Sequence, residues 1–346
     1  MLGSIAGDII GSPYEAHSIT IKKFPLFTEH SHFTDDTVLT VATAWALLHG
    51  TGYAETYRKF GQAHPNRGYG GSFRKWLFHP DRGPYNSFGN GSAMRVSPVG
   101  LARGSVEDVL AEAGRSAEVT HNHPEGIKGA QAVALAVFLA RTGRSKADIK
   151  GEIMQRFSYN LDRRLDDIRQ EYGFDVTCQG SVPEAIIAFL ESDGVEDAIR
   201  NAISLGGDAD TQACIAGGIS EAFYGEVPES IAAEVRRRLP QEFLAVIGLV
   251  MDLEGHFLED ESEILSSVEQ AILYMQTDVR FEGQLLGLTY EIGKRVFHYW
   301  AERHHQDDYT KLRVEVCRYA GISEDVRQIV EELRVLMKSS NLPTFH

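Results

Sequence analysis

Cysteine is scarce in this chain. Its 346 residues hold three, Cys178, Cys214 and Cys317, with no Cys-x-x-Cys spacing among them. That excludes a disulfide framework and fits a reducing cytoplasm. Positive charge is short as well: 34 Lys and Arg face 49 Asp and Glu, a formal charge of −15. A surface so acidic repels phosphate backbones, which argues against nucleic-acid binding, and none through a basic surface is expected. No apolar run is long enough to cross a bilayer; the longest, residues 129–140, sits between Lys128 and Arg141. The opening stretch MLGSIAGDIIGSPYE has no basic n-region, and Asp8 interrupts its apolar run, so no export signal is read and no membrane partner is expected. Sustained strand alternation and hairpin pairs are also missing.

What remains is helical text. Apolar residues make up 43% of the chain, enough for a substantial core. Val38, Val41, Ala42, Trp45 and Leu48 fall on one helical face, and Ile215, Ala216, Ile219, Ala222 and Phe223 on another. Pro124 opens a buried helix with Glu125 in its first turn and Gly143 near its close, and VPEAIIAFLES and VEDAIRNAISL add two short amphipathic helices. The expected fold is therefore all-α, a compact multi-helix bundle. Two glycine-rich stretches, residues 66–76 and 83–100, read as long binding loops. Near residue 260 the text changes to longer charged amphipathic helices, which predicts one domain over 1–260 and an appended helical C-terminal extension over 261–346.

The chemistry is concentrated at two helix starts. FTDDT offers Thr34, Asp35, Asp36 and Thr37, and GGDADT offers Asp208, Asp210 and Thr211 after two glycines. A helix N-cap needs one side-chain acceptor, so each cluster holds more oxygen than capping can use. Four carboxylates pressed together without a cation would repel or take up protons. Oxygen donors with no His or Cys at matching spacing select hard cations, Mg²⁺ or Mn²⁺, and suffice for two ions in a central dimetal site. The twelve-residue EF-hand loop is absent.

AGDIIGSPYEAH adds Asp8 and Glu15. Asp8, inside an apolar stretch, reads as a structural hydrogen-bonding acid; Glu15, placed on a loop after Pro13, reads as the free carboxylate that moves protons at a glycosidic bond. His121 and His123 flank a helix start, where capping or packing is the commoner role and a substrate hydrogen bond the second. RGYGGS and SFGNGSAMR expose backbone N–H groups suited to pyrophosphate, with Tyr69 and Phe88 available to stack on a base.

Taken in order, GDIIGSPYEAH, FTDDT, RGYGGSF, SFGNGSAMR, THNHPEG and SLGGDADT…AGGISEAFYG resemble the ADP-ribosylglycohydrolase family, all-α dimetal hydrolases of the dinitrogenase-reductase-activating type. The resemblance implies that Thr34, Asp35, Asp36, Asp208, Asp210 and Thr211 hold two Mg²⁺ ions beneath the distal ribose, with Glu15 catalytic. It implies further that Gly70, Gly71 and Ser72 face the diphosphate together with Ser87, that Phe88, Gly89, Asn90 and Gly91 line the ribose and adenine side, and that His123 reaches a ribose oxygen. YEAH and SFGNG are closer to the branch that cleaves serine- and O-linked ADP-ribose. The arginine-directed enzymes carry an Asp where this chain has Ser87. The implied activity is hydrolysis at C1″ of ADP-ribose on a modified protein or small molecule. The alternatives left open are an inactive ADP-ribose-binding regulator and a dimetal phosphohydrolase of the diphosphate.

Overall fold

In the computed structural model of the chain, the described residues are 1–253, and the chain divides after Glu254 into two units, of which the first is described here. The expected extension over 261–346 lies outside the described residues. Among the described residues fifteen helices follow one another with no strand. They are α1 (Leu2–Glu15), α2 (Asp35–His49), α3 (Tyr53–Ala63), α4 (Gly71–Leu77), α5 (Gly91–Met94), α6 (Ser97–Ala102), α7 (Val106–Glu118), α8 (Pro124–Arg141), α9 (Lys146–Phe157), α10 (Leu165–Glu171), α11 (Cys178–Leu190), α12 (Val195–Ile203), α13 (Ala209–Tyr224), α14 (Glu229–Arg238) and α15 (Gln241–Leu253). A single antiparallel bridge joins Gly89 to Thr177.

The helix pair that matters most for the site is α1 and α13, and glycine explains how close they lie. Gly3, Gly7 and Gly11 recur every four residues and so share one face of α1. A Cβ at Gly7 would fall 2.0 Å from Ala213 O, one at Gly11 2.5 Å from Asp210 Cα, and one at Gly3 2.4 Å from Gly217 O. The two backbones therefore touch, a separation that any side chain on this face would prevent. Glu221 of α13 completes the junction by accepting from the backbone N–H groups of Leu2 (3.1 Å) and Gly3 (2.7 Å), two donors that have no partner inside α1.

The expected helices are found, with revised ends. The one predicted after Pro124 is α8, buried along most of its length and entered through His123 as N-cap. α2 stops at Gly50 in the left-handed region (φ +64°), whose N–H bonds Ala46 O. The glycine-rich stretches are less loop-like than expected: α4 begins inside the first, α5 lies inside the second, and α6 begins there. Helices of four to seven residues complete too few turns to display an apolar period, so the sequence does not announce them. Pro13 does not end α1 either; the helix runs on to Glu15, placing that residue in the last turn of the helix instead of on a loop. Proline deprives Ile9 O of its usual N–H partner, and Ser12 Oγ supplies the substitute at 3.1 Å.

Candidate metal centre and active site

Asp8 organises the first acidic cluster. It is fully buried, and its carboxylate accepts from Thr34 N (3.0 Å), Thr34 Oγ1 (2.7 Å), Thr37 N (3.1 Å) and Thr37 Oγ1. Four donors on one carboxylate tie α1 to the start of α2 and spend Asp8 on structure. Thr34 is at the same time the N-cap of α2, accepting from Asp36 N at 3.2 Å. Its hydroxyl is thus committed to capping and to Asp8. Asp35 is anchored by its backbone, which donates to Arg67 O at 2.6 Å. The loop beyond closes over it: Gly68 has φ +94°, and a Cβ there would stand 3.1 Å from Asp35 Oδ1.

The second cluster meets the first through Thr211, whose hydroxyl donates to Asp36 Oδ2 at 3.4 Å across 175 residues of sequence. Asn90 Nδ2 donates to Asp208 Oδ2 at 2.7 Å, and Asp210 Oδ1 accepts from Thr211 N at 2.9 Å. Glu15, Asp208 and Asp210 each offer an oxygen within 4.8 Å of the others. α1, α2 and α13 thus bring five of the sequence-derived residues, Glu15, Asp36, Asp208, Asp210 and Thr211, to one place, with Asp35 beside them.

These acids are poorly tolerated as bare charges. Burial first, then the charges of Asp8, Asp35 and Asp208, push Asp36 well above the usual carboxylate range. Burial, then Asp36, Asp208 and Glu15, do the same to Asp210. Asp35 is raised by burial and by Asp8, and Asp208 by burial against the opposing bonds from its neighbours. Glu15, the most exposed of the group, is raised by partial burial and then by Asp208 and Asp8. Asp36 Oδ1 is moreover buried without a hydrogen-bond partner. An all-oxygen donor set, mutually repelling and with an orphaned carboxylate oxygen, fits hard divalent cations. Asp35, Asp36, Asp208 and Asp210 would hold them.

Around this centre the glycine-rich segments take distinct positions. Gly70, Gly71 and Ser72 are exposed at the start of α4, where backbone N–H groups have no partner within the helix. Ser87 Oγ accepts from Gly89 N at 3.1 Å, and the loop is pinned by Asn90 N to Val176 O (2.8 Å) and Cys178 N to Phe88 O (2.9 Å). Phe88 is 44% exposed, an aromatic face left available to a planar ligand. Gly91 opens α5. Asn90 is buried, and its Nδ2 donates to Asp208 and to Ser181 Oγ (3.2 Å), which ties the glycine loop to the acidic cluster.

The two histidines separate in role. His123 Nδ1 accepts from Glu125 N at 3.1 Å as the cap of α8, its ring 5.2 Å from that of Phe88. His121 is the one whose Nε2 faces the glycine loop, 3.2 Å from where a Cβ at Gly91 would stand. The sequence held a signal for this: His123 immediately precedes Pro124 at the first helical position, which makes it the N-cap and leaves His121 as the histidine beside the glycine loop.

A model of the ADP-ribosylglycohydrolase family matches residues 1–262. ADP-ribosylhydrolase ARH3 of Homo sapiens is 32% identical over 312 residues, covering 66% of this chain and 86% of the human protein. The Mus musculus ARH3 is 31% identical, covering 66% and 84%. A solved structure described as an ADP-ribosylglycohydrolase-related protein complex shares the fold, covering 73% of this chain and 96% of its own at TM-score 0.55 and 23% identity. The all-α architecture, the acidic centre where three helices meet and the family match over residues 1–262 lead to one conclusion: the chain belongs to the ADP-ribosylglycohydrolase family and is a glycosyl hydrolase.

Proposed function

We propose that the protein hydrolyses the glycosidic bond at C1″ of the distal ribose and releases ADP-ribose from O-linked acceptors, serine side chains foremost, with two Mg²⁺ ions; Mn²⁺ would serve the same donors. The observation that carries this reading is the convergence of Asp36, Asp208, Asp210 and Glu15, acids whose mutual repulsion divalent cations relieve. When bound, the ions supply a grip on the ribose hydroxyls and Lewis acidity toward water.

The chain's own residues do the rest. Glu15 stands at the edge of the centre with its carboxyl raised above the ordinary range, suited to take a proton from water and return it to the departing oxygen. Asn90 holds Asp208, and Thr211 holds Asp36, so the acids keep their mutual positions as a ligand enters. The unpaired N–H groups at the start of α4 and the hydroxyl of Ser87 suit the diphosphate, and the exposed ring of Phe88 suits adenine. Ser87, where the arginine-directed enzymes carry an acid, supports the O-linked preference, as does the similarity to ARH3. Among the described residues both cysteines are free and buried, in keeping with a reducing cytoplasm.

The test is to incubate the full chain with matched serine- and arginine-ADP-ribosylated peptides and O-acetyl-ADP-ribose, with magnesium or with EDTA, and to identify products by mass. ADP-ribose released first from the O-linked substrates, and only without chelator, is expected. AMP in place of ADP-ribose, or full activity in EDTA, would overturn the reading.

A further inference from the structure

Beneath the glycine loop lies a fully buried cation. Arg95 has no exposed surface, and among the described residues no carboxylate pairs with it. Its guanidinium lies 4.2 Å from the centre of the Tyr57 ring, and Nη2 donates to Ser116 O (3.0 Å) and Thr120 Oγ1 (2.9 Å). Thr120 is equally buried, and its hydroxyl oxygen is 2.7 Å from His121 Nδ1.

The direction of each bond in this chain follows from what each group can do. A guanidinium N–H only donates, so Thr120 Oγ1 accepts from Arg95. The hydroxyl proton of Thr120 is sealed from water and needs an acceptor of its own. Its one remaining hydrogen-bond partner is His121 Nδ1. Nδ1 therefore accepts. Burial and the nearby positive charge of Arg95 hold the imidazole neutral, so its single proton sits on Nε2. Nε2 has no partner among the described residues; the positions that a Cβ would take at Gly91 and Gly89 are 3.2 and 3.7 Å from it.

We propose that Arg95 and Thr120 are positioning residues that lock His121 as the Nε2–H tautomer, whose loop-facing nitrogen can only donate, aimed at an acceptor oxygen of ADP-ribose lying on the loop 87–91. Gly91 completes the device, since a side chain there would stand 3.2 Å from the donor and crowd it from its target. The ligand in this statement rests on the function proposed above; the lock does not.

The experiment is a long-range ¹H–¹⁵N spectrum of the full chain with ¹⁵N-labelled histidine at neutral pH, His121 being identified by its loss in His121→Gln. The wild type is expected to show a protonated Nε2 and a bare Nδ1. Thr120→Val, which keeps the shape and removes the hydroxyl, should shift His121 toward the Nδ1–H form and weaken ADP-ribose binding about tenfold, the value of one hydrogen bond. Thr120→Ser should restore both. A wild type with its proton on Nδ1 overturns the lock whether or not the variants fold, and so does Thr120→Val with tautomer and affinity unchanged. A wild type with protonated Nε2 that binds no ADP-ribose supports the lock and sinks the ligand assignment instead.

Discussion

Asp210→Asn removes one charge from the acidic centre while keeping its shape, and its effect should change sign with the metal. Asp208 and Asp210 are 5% and 4% exposed and offer oxygens within 4.8 Å of each other. Two unit charges at that distance repel by about 3.5 kcal/mol at an effective dielectric of ~20. In the unfolded chain these carboxyls titrate near ~3.9. In the fold they are raised, so the native state holds protons that the unfolded state has released. Stability of the metal-free protein must then fall as pH rises from about 4 through the raised values, by up to ~1.4 kcal/mol per unit of difference per group. Asn at position 210 escapes this loss. In EDTA at pH 8 the variant should be more stable than wild type by about 2–3 kcal/mol, roughly 4–12 °C in melting temperature. In magnesium the order should reverse, because ligand binding stabilises only a protein that retains its donors. Thermal melts from pH 5 to 8, in chelator and in magnesium, make the measurement. Wild-type melts in EDTA that do not fall with pH, or a variant equally destabilised in both buffers, would refute the reasoning.

Three further outcomes are expected. Glu15→Gln should lower ADP-ribose release by about 10²–10⁴-fold without lowering the melting temperature in EDTA, since its side chain is exposed and losing its charge relieves repulsion with Asp208 and Asp210; a loss of under tenfold in a product assay would remove it from the chemistry. Gly7→Ala should destabilise by about 3 kcal/mol or more and abolish activity, because the atom its Cβ meets at 2.0 Å is backbone and cannot rotate away. Gly114→Ala, whose Cβ would meet nothing nearer than 3.6 Å, is the control and should melt no lower than wild type. Burial pushes the Cys178 thiol up to about 12 and Cys214 well above its usual value, so neither should be alkylated at pH 8 in the native state and both should be after denaturation, as read by peptide mass; rapid native labelling of either would contradict their burial.

Much of the site could be read locally. Surplus carboxylates at the mouths of two apolar helices pointed to an acidic cluster suited to cations, because capping has use for only one such side chain. Pro124 marked the start of α8, and Asp8 could be recognised as a structural acid from its apolar setting. Other roles resisted. Asn90 sits in a glycine-rich motif that reads as ligand loop, yet its amide reaches back to Asp208, 118 residues away. His121 and His123 offer the same ring two positions apart, and only the path of the chain into α8 gives one to the cap and the other to the loop. α4, α5 and α6 were too short to show a period.

The sequence by itself determined the family, the helical class and the oxygen chemistry, because motifs, apolar period and donor type are properties of neighbouring residues. Only the tertiary structure decided that Glu15, Asp36 and Asp210 share one centre. That meeting depends on backbone contact between α1 and α13, and a glycine records the space it leaves without naming the neighbour that fills it.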